Sequence, residues 1–554
     1  MLLFHGSESI ASLRSGRTAV GFCRVPPLSA VPRRLVFRMP PAPLQSGTTT
    51  LLPAASNQAV GLARYCRDFL DSPQPIGTAT QTLLERFHLD SVGCGVSAIW
   101  QQANAPTVLR REALQTPVAI GSQGGICLGA TQPCATEKAV VANAAAVREW
   151  DSNGTNFGYD PLRGCTAGEF GHNDYYPVAI AAAREAGLNG DQTLRVMLLI
   201  DEIRGRLAEV FPLRTFAIDH VHHGAVASAA AYAAAVGGTE QQIESAIGLV
   251  VAHHVPFRAI RAGEQLSDSK GASAAIAAEA AVVAARRALA GFQGPRDVFR
   301  NPLAIYRLNL PTTAGHSPFD LELGVSGDAF AIHSMHFKLG LYEHQTAGAL
   351  QALVDLLNRH DGLAADLAAI RKIRVAIYEP AYSIIADPAK RTPQTRQSAD
   401  HSLPYILART LLKAVAAANA GCSRPGWGDL MLLPDDYAPS AIADPAIEDV
   451  IQRLDVIPGG NAYDSRYPEG IPTSVTLEHE QLGTLGGDLV MFPLGHARAD
   501  QAETARLVDL KFERLVAGAV ADPARLRTQV TLAGMPAASV ANLYSFPING
   551  IEAA

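Results

Sequence analysis

The sequence predicts a mainly α protein: a large all-helical domain, a smaller α+β lid domain inserted into it, and a return to helix. Three observations carry this. From residue 58 to about 330, apolar residues recur at helical spacing between short glycine-bearing links. After about 330 the texture changes to period-two segments and closely spaced glycines. From Asp500 to Val520 helical spacing returns. The corresponding segments are 1–57, an extension outside the fold; 58–330, the first part of the helical domain; 331–495, the lid; and 496–554, the return segment.

In chain order, residues 1–57 set Arg14, Arg17, Arg24, Arg33, Arg34 and Arg38 against the single acid Glu8, among Ser, Pro and Thr. This composition fits a mitochondrial transit peptide, and equally a disordered extension or a start upstream of Met39. The mature protein is expected to be soluble and intracellular: mitochondrial matrix in the first case, cytoplasm if the chain is bacterial. Next, Asp191 is placed to cap a helix bearing Leu194, Met197, Leu198 and Leu207. Thr239-Glu-Gln-Gln242 reads as a capping box, because a threonine and a glutamine three apart can satisfy each other's backbone N–H. It opens a helix whose Ile243, Ala246, Ile247, Val250 and Val251 share one face. The links Gly187-Leu-Asn-Gly190 and Val236-Gly-Gly238 are short, so neighbouring helices pack antiparallel. Lys372-Ile-Arg-Val-Ala-Ile-Tyr378 alternates as a half-exposed strand does. Thr473–Leu477 and Leu489–Phe492 flank Gly483, Gly486 and Gly487, which suits a hairpin. Leu507, Leu510, Leu515 and Val516 mark the returning helix.

Composition excludes several classes. The chain has 554 residues, 48% of them hydrophobic, so a sizeable core is assured. A net charge of −6 gives no basic surface for nucleic acid. The seven cysteines are odd in number and form no C-x-x-C pair, which argues for reduced thiols and against a cysteine-held iron–sulfur cluster. No segment reads as membrane-spanning; the alanine-rich stretch from Ala272 to Ala290 carries Glu279, Arg286 and Arg287.

Four clusters hold chemistry-bearing residues. They are Trp150-Asp-Ser-Asn-Gly-Thr155 with Glu169-Phe-Gly-His-Asn-Asp174; Asp219-His-Val-His-His223; Arg258-Ala-Ile-Arg261 with Leu266-Ser-Asp-Ser-Lys270; and His336-Phe-Lys338 with Glu343-His-Gln345, joined by Asp400-His-Ser-Leu-Pro-Tyr405. Each has a plainer reading. Asp151 and Thr155 fit a helix cap, Arg258 and Arg261 a solvated face, and Asp400-His401 the cap of a helix starting at Ser402. Together they offer what loss of water from a β-hydroxy acid requires. That reaction needs a base for a carbon-bound proton, an acid for the leaving hydroxyl, and fixed cations for the carboxylates. Histidine can carry the proton; Arg and Lys can hold the carboxylates.

The order of these motifs resembles the MmgE/PrpD family, over roughly residues 60 to 550. The family's Asp-x-x-x-Thr step resembles Asp151 and Thr155, and its Gly-His resembles Gly171-His172. Its histidine ahead of an alanine-rich helix resembles His220. Its Arg-x-x-Arg followed nine residues later by lysine resembles Arg258, Arg261 and Lys270. Its Phe-Lys and His-Gln-Thr-Ala segments resemble Phe337-Lys338 and His344–Ala347. Its Asp-His-x-x-x-Tyr resembles Asp400, His401 and Tyr405.

The family includes 2-methylcitrate dehydratase and cis-aconitate decarboxylase. The resemblance therefore implies a small tricarboxylate substrate, a homodimer, and catalysis with no metal and no organic cofactor. It implies His172 and His220 as the acid–base pair, with Asp151 orienting one imidazole. His344 and Tyr405 would complete the site from the lid. Thr155, Arg258, Arg261, Lys270, Lys338 and His401 would bind the substrate. Dehydration of a 2-methylcitrate-like acid is the first expectation and decarboxylation of a cis-aconitate-like acid the second. Two departures bear on the choice: Gly171-His-Asn-Asp-Tyr-Tyr-Pro177 replaces the dehydratases' Gly-His-Pro-Ser-Asp-Asn, and His222-His223 stand where they carry apolar residues. A metallohydrolase using His220, His223, His253 and His254 is a rival from another class, although no H-E-x-x-H pattern occurs. A helical scaffold without catalysis is a further rival, and leaves the charged clusters unexplained.

Overall fold

The computed structural model describes residues 48–119, 124–155, 171–261 and 265–552. The arginine-rich residues 14–38, Cys23, Cys165, Glu169 and Phe170 lie outside the described residues. The fold is mainly α with a smaller α+β region. Residues 49–52 belong to it: Thr49–Leu52 (β1) pairs antiparallel with Leu321–Gly324 (β2), where the sequence reading had placed them in the extension. The strand is short and half exposed, so its own pattern does not announce it.

Among the described residues, the longer helices of the first part are α1 (Gln58–Asp71), α2 (Thr78–Trp100), α3 (Asn104–Leu114), α4 (Thr136–Arg148), α5 (Tyr176–Ala186), α6 (Gly190–Val210), α7 (Val221–Ala235), α8 (Glu240–His253) and α9 (Asp268–Leu289). Alanine explains the packing. α7 is buried from Val221 to Ala234, and α9, whose Ala274, Ala278 and Ala281 are buried, packs against α4, α7 and α8. Small side chains lose little entropy in a helix and let backbones approach. Thr239 and Gln242 form the expected capping box on α8. The cap of α6 is Asn189, not Asp191. Asn189 and Gln192 form a reciprocal box, and Asp191 sits in the first turn, its carboxylate accepting from Gly534 N at 3.1 Å. At Gly224 a Cβ would lie 1.9 Å from Cζ of Tyr175. The glycine therefore lets the Tyr175 ring lie on α7, with its hydroxyl donating to Val221 O at 3.1 Å. This docks the turn after His172 onto the helix that begins beside His220.

The α+β region holds a four-stranded sheet in the order β4-β3-β5-β6, from Ile370–Ile377 (β3), Leu454–Pro458 (β4), Thr473–His479 (β5) and Gly483–Gly486 (β6). β3 runs parallel to β4, while β5 is antiparallel to both β3 and β6. Ile373, Val375 and Ile377 are buried in alternation, as the period-two reading requires. The hairpin differs from that reading. Gly483 and Gly486 bound the second strand, with Thr484 and Leu485 between them and Gly487 just beyond, and Leu489–Phe492 contributes one bridge, Thr473 to Val490. Backbone hydrogen bonds make a ladder without side chains, which hydropathy cannot register. The returning helix is Gln501–Val516, capped by Asp500 and packed on α2. Among the described residues no helix is long and apolar enough to cross a membrane.

Candidate active site

Asp151 is the centre of the first charged cluster. It follows the C-terminal end of α4 with φ at 50°, a left-handed conformation uncommon outside glycine. It therefore caps no helix start. Its carboxylate accepts from Arg148 Nη1. Lys338 Nζ donates to its Oδ1 at 3.1 Å and to its carbonyl oxygen at 2.8 Å. Lys270 Nζ lies 3.7 Å from its Oδ2, and His401 Nε2 lies 3.2 Å from the same oxygen. The other face of His401 meets Asp400: Nδ1 is 2.5 Å from Oδ1. Lys270 also stands 3.7 Å from Asp400, and Arg396 bridges Asp400 at 2.8 Å and Glu149 at 2.6 Å. Ser402, not the Asp400-His401 pair, caps the helix Leu403–Asn419.

Burial sets the electrostatics. It works against the Asp151 carboxylate, but Arg148, Lys270 and Lys338 outweigh it and hold that group well below the usual carboxylate range. Burial pushes the Lys270 ammonium down to about 8 despite Asp151 and Asp400, and lowers Lys338 as well. Buried cations of this kind gain from a second anion, because their present partners do not fully offset desolvation.

The second cluster adjoins the first. Arg261 Nε lies 2.5 Å and Arg258 Nη1 3.2 Å from Asp219 Oδ2, so the two arginines are not a solvated face. His220 Nδ1 is 3.3 Å from Asp219 Oδ1, and its Nε2 is 3.5 Å from Arg261 Nη2. Arg261 also donates to Ser273 Oγ at 3.3 Å, one helical turn beyond Lys270 on α9. Burial first, then Arg261, Arg204 and Arg148, hold the His220 imidazole well below its ordinary value, so it is neutral at physiological pH. Asp219, though buried, is kept ionised by the guanidinium groups of Arg261 and Arg258.

The remaining residues named from sequence are spread out. Thr155 is buried and exchanges backbone hydrogen bonds with His336 at 3.0 and 2.9 Å, which brings the 151–155 and 336–338 segments together. His172 sits apart from Asp151. Its Nδ1 is 3.2 Å from Asp201, its ring meets Phe87 edge-on, and its Nε2 faces Gly154, where a Cβ would lie 2.2 Å away. His344 is buried and stacks on His336 with centroids 5.4 Å apart. The Tyr405 hydroxyl donates to the carbonyl of Asp436 at 2.5 Å. Thus Asp151, Lys270, Lys338 and His401 converge and His220, Arg258 and Arg261 form the neighbouring cluster, whereas His172, His344 and Tyr405 make the contacts just described with Asp201, His336 and Asp436.

Sequence reasoning left several members unassigned. Arg148 stands three residues before Asp151, a spacing that brings helical neighbours together. Asp219 and Asp400 each precede a singled-out histidine. Lys511 gave no signal: buried on the returning helix, it pairs with Asp90 at 2.6 Å and donates to Ser152 O at 2.5 Å and Lys338 O at 2.9 Å.

The imidazoles offer no histidine-rich metal centre among the described residues. His222 Nδ1 and His223 Nε2 each lie 2.8 Å from a backbone carbonyl, of His254 and Phe211 respectively. The described group that does bring three ligand atoms within 4.8 Å of one another is Asp151, Asp400 and His401. Lys270, Lys338 and Arg148 already supply its positive charge, a donor set ill-suited to a divalent cation.

Comparison with known proteins agrees with this picture. Residues 62–313 match the MmgE/PrpD N-terminal domain and residues 342–420 the MmgE/PrpD C-terminal domain. The chain is 24% identical over 436 residues to 2-methylcitrate dehydratase of Escherichia coli (strain K12), covering 76% of this chain and 83% of that protein. It is 24% identical over 455 residues to 2-methylcitrate dehydratase of Salmonella typhimurium, with the same shares covered.

Proposed function

Because this chain belongs to the MmgE/PrpD family, we propose that it is a hydro-lyase that dehydrates a small hydroxy tricarboxylic acid such as 2-methylcitrate. The observation that carries this reading is the meeting of two charged clusters, one buried around Asp151 and one part-buried around Asp219, with a neutral histidine beside the second. Elimination next to a carboxylate builds enolate-like charge, and buried cations stabilise it more than water does. Lys270, Lys338, Arg258 and Arg261 hold the substrate carboxylates. Bidentate arginine forks fix orientation, and lysine serves as a point charge. His220, neutral and steadied by Asp219, takes the carbon-bound proton. Asp151 keeps Lys338, Lys270 and His401 in place. The working unit is a homodimer.

The reaction is tested by offering purified protein 2-methylcitrate, citrate and their relatives and following ultraviolet absorbance for a new carbon–carbon double bond. Product mass separates loss of water from loss of carbon dioxide. Loss of carbon dioxide from an unsaturated acid, with no dehydration of any hydroxy acid, overturns the reading in favour of a decarboxylase.

A further inference from the structure

Dehydration needs an acid as well as a base, and three of the carboxylates nearest the cations cannot serve. Asp151, Asp219 and Asp400 are ion-paired and held ionised below the usual range, so they carry no proton to give. Glu343 differs. It is 4% exposed and lies against the same cluster, its backbone N–H donating to Asp400 O at 2.8 Å. One carboxyl oxygen, Oε2, accepts from Gln345 N at 2.8 Å. Among the described residues its Oε1 takes part in no hydrogen bond and no cation lies within ion-pair distance. The charged and titratable groups that act on it are Lys338, Asp151 and Lys270, and it acts in turn on Lys390 and Tyr378.

We propose that Glu343 is the proton donor to the leaving hydroxyl, a role that rests on the dehydration reading above. The C–O bond breaks as the Glu343 proton passes to the departing oxygen, which leaves as water. The electron pair of the C–H bond cleaved at His220 becomes the new double bond. Glu343 then regains a proton from solvent and His220 releases one, so substrate goes to alkene plus water with the enzyme unchanged. The geometry supplies a carboxyl anchored by one oxygen, with the other oxygen free for substrate. Burial pushes this carboxyl up to about 7 against the pull of Lys338, so much of it is protonated at physiological pH. A working acid is best matched to the pH at which it operates.

The test is Glu343→Gln, whose amide oxygen still accepts from Gln345 N and so preserves the turn. It should lose about 10²–10⁴-fold in kcat on the hydroxy acid while circular dichroism stays unchanged. In the wild type kcat/KM should fall above pH 7 as Glu343 ionises; in the variant that limb should move up by about one pH unit, to where Lys270 discharges. With a substrate bearing fluoride in place of the hydroxyl, a leaving group that departs without a proton, the variant should approach wild-type rates. A variant that keeps the limb near pH 7, or is equally slow on the fluoro acid, overturns the assignment. Difference infrared titration of the wild type gives a second measurement: a buried carboxyl should ionise near pH 7, and its absence overturns the assignment even if Glu343→Gln fails to fold. A wild type that dehydrates no hydroxy tricarboxylate refutes the functional reading itself, whereas a failure confined to the variant refutes only the donor.

Discussion

Replacing Lys270 with methionine should cost activity while leaving the fold at least as stable. Lys270 is 1% exposed, and burial pushes its ammonium from an ordinary 10.5 down to about 8. At about 1.4 kcal/mol for each tenfold change in acidity, keeping it charged at neutral pH costs the folded protein about 3 kcal/mol. Methionine is of similar length and removes that cost. The carboxylates left behind keep other partners: Asp151 retains Arg148 and Lys338, and Asp400 retains Arg396. Urea unfolding followed by circular dichroism should therefore place the variant's midpoint at or above that of the wild type. The same change deletes a charge-assisted contact to substrate worth about 1.5–3 kcal/mol, so kcat/KM should fall roughly ten- to a hundredfold. The sign of the pH dependence follows from the same group. Between about pH 8 and 10.5 the unfolded chain holds a proton that the folded chain has shed, so wild-type stability gains with rising pH in that window, and the variant lacks the gain. Unchanged kcat/KM in a folded variant would remove Lys270 from the site, and a stability loss of several kcal/mol would refute the balance drawn here.

His220→Ala should lower kcat by about 10²–10⁴-fold with substrate analogue binding retained, read by single-turnover rates; near-normal turnover would discard it as the base. Because burial and its arginine neighbours hold this imidazole well below its usual value, the acid limb of kcat/KM should lie below the ordinary histidine range and disappear in the variant. Prolonged chelation should leave activity intact; a loss restored by zinc or iron would assign the Asp151, Asp400 and His401 group to a metal. Lys511→Met should destabilise the fold by about 3–5 kcal/mol, since it strands Asp90 and two carbonyls in the core; an unaltered urea midpoint would show that water replaces the ammonium.

What could be read from the sequence was what local chemistry encodes. The Thr239–Gln242 box and the alternation of Ile373, Val375 and Ile377 are written in adjacent residues. The cap of α6 was open to the same logic, since Asn189 and Gln192 have box spacing and Asp191 does not. The cations at 258, 261, 270 and 338 stood out by type. Their pairing did not, because Arg258 and Arg261 reach Asp219 about forty residues away through a tertiary contact. Glu343 was visible as a letter, but its acidity depends on burial beside Lys338, which no spacing rule conveys.

The Lys511 clip also bears on how the molecule matures. Its ammonium joins carbonyls at residues 152 and 338, which lie 359 and 173 positions earlier in the chain. Contacts of such sequence separation form late, after shorter loops have closed. During synthesis the turn bearing Asp151 and the helix bearing Lys270 emerge long before this fastener. A ribosome-bound chain stalled before residue 511 should therefore hold native helices yet leave the 152 and 338 loops unfastened. Catalytic competence would then begin as a single late event, timed by the returning helix rather than by the segments that carry the chemistry.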